Sequence, residues 1–94
     1  MKTKILIAED DKSVLIGLVD LLSDEGFAPV TAETGVEAIK KFKEENPDII
    51  LLDIMMPEKS GYDVCREIRK KNAMVPVIFL TAKGEEIDTV VGLE

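Results

Sequence analysis

Three short apolar runs constrain this chain more than any other feature. They are Ile5-Leu6-Ile7-Ala8, Ile49-Ile50-Leu51-Leu52 and Val75-Pro76-Val77-Ile78-Phe79-Leu80. None alternates with polar residues, as a strand with one wet face would. Continuous apolar runs of this length fit strands buried on both faces of a parallel sheet. The first run closes in Glu9-Asp10-Asp11, the second in Asp53, and the third in Thr81-Ala82. Open parallel sheets bind ligands outside the carboxyl ends of their strands. Two carboxylate-bearing ends and one hydroxyl-bearing end are therefore expected to converge on one site.

Helical patterns separate the runs. After the strand Lys4 to Ala8, Asp11 or Lys12 opens a helix whose apolar positions Val14, Leu15, Leu18, Leu21 and Leu22 recur at helical spacing, and Gly26 ends it. A more polar strand, Ala28 to Ala32, is expected nearer the sheet edge. Thr34 reads as an N-cap, with Glu37 three residues on completing a capping box. Ala38, Ile39 and Phe42 form the buried stripe of that helix, and the Lys40-Lys41-Lys43 face is solvated. Asn46-Pro47 stops it, because the residue before proline avoids helical angles. Asp48 to Asp53 is the third strand, Pro57 to Gly61 a turn, and Ser60 with Asp63 starts a helix reaching about Asn72. Val64, Cys65 and Ile68 face inward there. Val75 to Leu80 is the fourth strand. A fourth helix is expected from Glu85, with Ile87, Val90, Val91 and Leu93 on one side. The order β-α-β-α-β-α-β-α gives an α/β domain, a parallel sheet with helices on both faces. The chain is read as one domain over residues 1–94, cut short after its last helix.

Composition narrows the chemistry. The net charge of -7, from 12 basic and 19 acidic residues, argues against a nucleic-acid contact by this segment, since phosphate backbones are bound by Lys and Arg. There is no His and one Cys. Histidine-bearing zinc sites, Ser-His and Cys-His dyads and internal disulfides are thereby excluded within this chain. Cys65 reads as a core residue. No run approaches the ~18 apolar residues of a membrane helix, and no signal-peptide pattern is present, so a cytoplasmic, membrane-free setting is expected.

Clustered carboxylates at strand ends suit a hard divalent cation, and Mg²⁺ takes oxygen ligands from one or two carboxylates plus phosphate oxygens. Two carboxylates ~4 Å apart repel by about 4 kcal/mol at an effective dielectric of 20. The loops after strands one and three carry only Lys12 and Lys59 to offset this, so a metal is the simpler explanation. Asp11 is better read as the first helix's N-cap than as a ligand. Met56-Pro57 reads as turn packing, and Gly61 as a turn or tight-approach residue.

With these pieces in place, the chain resembles the receiver domain of a two-component response regulator. The resemblance rests on Ile5 to Asp11, on Pro47 to Pro57, on Ser60-Gly61-Tyr62 and on Pro76 to Ala82, and it spans essentially all 94 residues. It implies a flavodoxin-like (CheY-like) doubly wound sheet, with strands in the order 2-1-3-4 here. It implies that Asp53 is the phosphoacceptor and that Glu9, Asp10, Asp53 and the backbone carbonyl of Met55 hold Mg²⁺. It further implies that the Thr81 hydroxyl and the Ala82 backbone N–H contact the phosphoryl group. The implied donor is a histidine kinase or phosphotransfer protein, and an output domain normally follows. Such a domain is no conventional enzyme; it catalyses its own aspartyl phosphorylation and dephosphorylation. The family's fifth strand, ending in Lys-Pro, and its fifth helix do not occur in the sequence, and Lys83 lies in the wrong place to substitute for that lysine. Impaired phosphotransfer is therefore expected. The alternative reading is a truncated or strand-swapped receiver, including a homodimer, that acts as a binding or assembly module, since an unpaired fourth strand invites pairing. A phosphatase of the haloacid-dehalogenase type is disfavoured because it needs Asp-x-Asp and position 55 is Met.

Overall fold

The computed structural model describes residues 2–80 and the backbone of residues 87–90. The elements run β1 (Lys4–Ala8), α1 (Lys12–Asp24), β2 (Ala28–Ala32), α2 (Gly35–Glu45), β3 (Ile49–Asp53), α3 (Gly61–Lys71), β4 (Val77–Leu80) and β5 (Ile87–Val90). The sheet order is β2-β1-β3-β4-β5. The first four strands are parallel, which gives the expected 2-1-3-4 arrangement with β2 at an edge.

The expected fourth helix is corrected. Residues 87–90 form a strand antiparallel to β4, with Val77 opposite Val90 and Leu80 opposite Ile87. Two forces favour this. Three of the four residues, Ile87, Thr89 and Val90, are β-branched and suit a pleated surface. The outer edge of β4 also presents unpaired N–H and C=O groups that a neighbouring extended segment satisfies. The expected helical residues Glu85, Val91 and Leu93 lie outside the described residues.

The sheet divides the core in two. Against one face, Ala38 and Phe42 of α2 and Val64, Cys65 and Ile68 of α3 pack on Leu6, Ala8, Ile50, Leu52, Val77 and Phe79. Against the other, Leu15, Leu18, Val19 and Leu22 of α1 pack on Ile5 and Ile7, with Ile49 and Leu51 at the margin. Complete burial of a side chain such as Ile68 or Val64 contributes about 1.5–3 kcal/mol. The apolar positions of α1 do not all reach this core. Val14 and Leu21 are exposed, because they lie about 100° around the helix from Leu15 and Leu22, off the line of contact.

The helix ends follow local chemistry. Asp11 caps α1, its Oδ1 accepting from the N–H groups of Ser13 at 2.9 Å and Val14 at 3.3 Å. Thr34 caps α2 through Glu37 N–H at 3.0 Å. The reciprocal half of that box is shifted by one residue, since the Glu37 carboxylate accepts from Glu33 N–H at 2.9 Å and not from Thr34. Asn46 ends α2 in the left-handed region at φ 48°, a conformation Asn tolerates, and Pro47 follows. Ser60 and Asp63 form the full capping box of α3. The Ser60 N–H, with help from Arg66, holds the Asp63 carboxyl below its ordinary range.

Candidate functional site

Strand register builds the site. Ala8 pairs with Leu52 across the β1–β3 ladder. The next residue on each strand is therefore a carboxylate, Glu9 on one and Asp53 on the other, and the two emerge side by side. Glu9 N–H donates to Ala32 O at 3.0 Å, so the β1–β2 ladder extends one residue past β1 and fixes the Glu9 backbone. Asp10 follows and remains exposed. One carboxylate oxygen from each of Glu9, Asp10 and Asp53 lies within 4.8 Å of the others. Glu9 and Asp53 are 7% and 6% exposed. The cluster is thus a buried pair that opens to solvent through Asp10.

The backbone supplies a few donors to these acids. Met55 N–H donates to Asp53 Oδ1 at 3.2 Å, and Asp11 N–H donates to Glu9 Oε2 at 3.0 Å. Among the described residues, the ion pairs are Lys4–Glu45, Lys59–Glu67 and Arg66–Asp63, and none involves the cluster. Charge left unpaired in a buried place moves the protonation equilibrium. Burial raises Glu9 to a pKa of about 7, against the Asp11 N–H that lowers it, and the neighbouring Asp53 and Asp10 add to the rise. Burial also raises Asp53, opposed first by the Met55 N–H. In the metal-free protein the pair therefore retains a proton that ordinary carboxylates lose well below neutral pH. Three hard oxygen donors, ion-paired with no Lys or Arg among the described residues, fit a divalent ion such as Mg²⁺.

The loop from Ile54 to Ser60 carries the site toward α3. Gly61 N–H donates to Ile54 O at 2.9 Å. A Cβ at Gly61 would collide with the carbonyl oxygen of Asp53 and come within 3.0 Å of Ile54 Cα. The tight approach expected of Gly61 is thus to the backbone of Asp53 itself. The Tyr62 ring, next along, packs on Phe79 with centroids 5.0 Å apart. Cys65 is buried as expected, with burial pushing its thiol pKa up, so it offers no ready thiolate.

Of the residues singled out from sequence, Glu9, Asp10 and Asp53 are brought together, and Met55 is beside Asp53 through its N–H. The Met55 side chain is 67% exposed. Thr81, Ala82 and Lys83 lie outside the described residues. Sequence reasoning missed the Met55 N–H on Asp53, the Asp11 N–H on Glu9, and a close contact at Gly35 with the β3–α3 loop. The first two are local consequences of acids at strand ends followed by turns. The third joins residues far apart in sequence and leaves no local signal.

Comparison with known proteins agrees with this arrangement. Residues 5–94 match the family described as the response regulator receiver domain. The alkaline phosphatase synthesis transcriptional regulatory protein PhoP of Bacillus subtilis (strain 168) is 44% identical over 94 residues, covering 100% of this chain and 39% of that protein. The probable transcriptional regulator ycf27 of Guillardia theta is 48% identical over 93 residues, covering 99% of this chain and 36% of that protein. The chain thus spans under two fifths of the length of these curated relatives. Among solved structures, the response regulator protein TrrA from Thermotoga maritima, in complex with Mg²⁺-BeF, superposes with a TM-score of 0.82 at 45% identity. That match covers 87% of this chain and 70% of the other. Among the described residues, no helix is long and apolar enough to cross a membrane.

Proposed function

This chain belongs to the response regulator receiver domain family, and on that premise we propose that it accepts a phosphoryl group on Asp53 from a histidine kinase or phosphotransfer protein. The carrying observation is the buried Glu9–Asp53 pair, opened to solvent by Asp10, within 4.8 Å at the ends of β1 and β3. In the transfer, an Asp53 carboxylate oxygen attacks phosphorus. The phosphorus–nitrogen bond of a phosphohistidine breaks, and the imidazole leaves with the electron pair. An ionised carboxylate needs no general base for this attack.

Glu9, Asp10, Asp53 and the Met55 carbonyl are the groups that would hold Mg²⁺. When bound, Mg²⁺ would supply the positive charge that keeps the acids ionised and offsets the charge of the incoming phosphoryl oxygens. The Met55 N–H orients Asp53 by holding Oδ1. The assignments of Thr81 and Ala82 to phosphoryl contact rest on the family resemblance. The Mg²⁺-BeF complex of the Thermotoga maritima relative supports the cation assignment by similarity. The same reading makes the domain cytoplasmic, and the names of the two curated relatives support a transcriptional output. A strand-swapped assembly module is not favoured, because β4 already pairs with residues 87–90 of its own chain.

The test is intact mass spectrometry after incubation with Mg²⁺ and acetyl phosphate. A single phosphoryl adduct is expected in the parent chain and none in Asp53→Ala. An adduct that persists in Asp53→Ala refutes the assignment of the acceptor, and a folded, Mg²⁺-binding parent that takes up no phosphoryl group refutes the transfer reading.

A further inference from the structure

Gly35 is the first residue of α2 and is buried. A Cβ built on it would lie 2.6 Å from Lys59 Cβ, 2.8 Å from Lys59 O and 2.9 Å from Val64 Cγ2. Non-bonded carbon atoms favour separations of about 3.5–4.0 Å, so no side chain fits here unless its neighbours move. Two of the three obstacles belong to the backbone or its first side-chain atom, which cannot swing aside as a chain end does.

Lys59 lies in the loop between Asp53 and α3. Its N–H donates to Pro57 O at 2.8 Å, closing a γ-turn around Glu58, whose φ is 72°. A non-glycine residue in this region is strained and persists where its surroundings hold it. One end of the loop reaches Asp53 through the Met55 N–H. The other end, Gly61, rests on the Asp53 backbone.

We propose that Gly35 is a positioning residue for the carboxylate site: its missing side chain lets the start of α2 serve as the seat for Lys59, which holds the 54–60 loop with Met55 N–H on Asp53. The path runs from Gly35 to Lys59, through the Glu58 turn, to Met55 and then to Asp53 Oδ1. The functional meaning of this seat rests on the reading of Asp53 as phosphoacceptor and Mg²⁺ ligand.

The test compares variants by Mg²⁺ titration and by the Met55 amide signal in the metal-free protein. In Gly35→Ala the Met55 amide signal is expected to move, and Mg²⁺ affinity to fall roughly 3- to 10-fold, at or below the loss usual for groups that orient metal ligands. Leu18→Ala, packed against the opposite sheet face, is expected to lower stability while leaving both readouts unchanged, which separates positioning from general destabilisation. Lys59→Gly attacks the same contact from the loop side and is expected to move both readouts in the direction of Gly35→Ala. Glu67→Gln, which breaks the 3.9 Å Lys59–Glu67 ion pair without touching the seat, leaves them at parent values. A Gly35→Ala protein with the parent's affinity and Met55 signal overturns the proposal. If that variant does not fold, Lys59→Gly with parent values overturns it instead. Failure of the parent chain to take up a phosphoryl group counts against the functional reading alone, because the Met55 signal still decides the role of Gly35.

Discussion

Raising the pH in the absence of Mg²⁺ should destabilise this protein, against the usual behaviour of acidic domains with paired carboxylates. Burial raises the folded-state pKa of Glu9 to about 7, from an ordinary 4.5. Between those values the folded protein holds a proton that the unfolded chain has released. Stability therefore falls as pH rises through that window and levels off above it. One pKa unit corresponds to ~1.4 kcal/mol, so the displacement is worth ~3 kcal/mol between pH 4.5 and neutrality. The raised Asp53 acts with the same sign. The lowered Asp63 acts with the opposite sign, but only as pH falls below the ordinary Asp value of 3.8, outside the window. Urea unfolding at pH 5, 6, 7 and 8 with a chelator present measures the effect. With slopes of ~1–3 kcal/mol per molar urea, the midpoint should drop by on the order of 1–3 M from pH 5 to pH 8. Saturating Mg²⁺ should recover most of the loss at pH 8, because a ligand that binds only the native state adds stability. Glu9→Gln should flatten the profile and raise the pH 8 value. A metal-free profile that is level or rising from pH 5 to pH 8 would refute both the burial argument and the placement of these acids.

Three other changes probe the frame around the site. Gly61→Ala forces a Cβ into the Asp53 carbonyl and should destabilise by roughly 1–3 kcal/mol, as overpacking does, with Mg²⁺ affinity falling as well; parent-like thermal unfolding and metal binding would contradict the close approach. Ser60→Ala removes the oxygen that accepts Asp63 N–H at 3.2 Å and should cost ~1 kcal/mol in denaturant unfolding. Ile68→Ala, at a side chain 1% exposed between α3 and the sheet, should cost about 2–5 kcal/mol; a loss below ~1 kcal/mol would mean that α3 does not pack there.

Much of this architecture was legible in the order of residues because its causes are local or periodic. Unbroken apolar runs announce strands covered on both faces, which is why β1 and β3 were readable and why their terminal acids could be linked. The Ser60–Asp63 box and the Asp11 cap involve residues two or three apart, so their chemistry is written in adjacent letters. Residues 87–90, expected in a helix, form a strand for the complementary reason. Ile87, Val90 and Val91 satisfy a helical spacing, yet Ile87, Thr89 and Val90 also suit an extended edge, and the free edge of β4 supplied hydrogen-bond partners that no local pattern reveals. Val14 and Leu21 fit the helical spacing equally well, but only the line of contact between α1 and Ile5 and Ile7 decides which apolar residues are buried.

By itself, the sequence determined the parallel α/β class, the acids at the strand ends and the absence of histidine chemistry, since these follow from composition, from unbroken apolar runs and from the helical period of 3.6 residues. Tertiary structure alone decided that Ala8 stands opposite Leu52, which brings Glu9 beside Asp53. It also decided how deeply that pair is buried, hence its retained proton, and that Gly35 meets Lys59. Register, burial and the contact of distant backbones are properties of packed elements, and they arise only when the strands and helices are assembled.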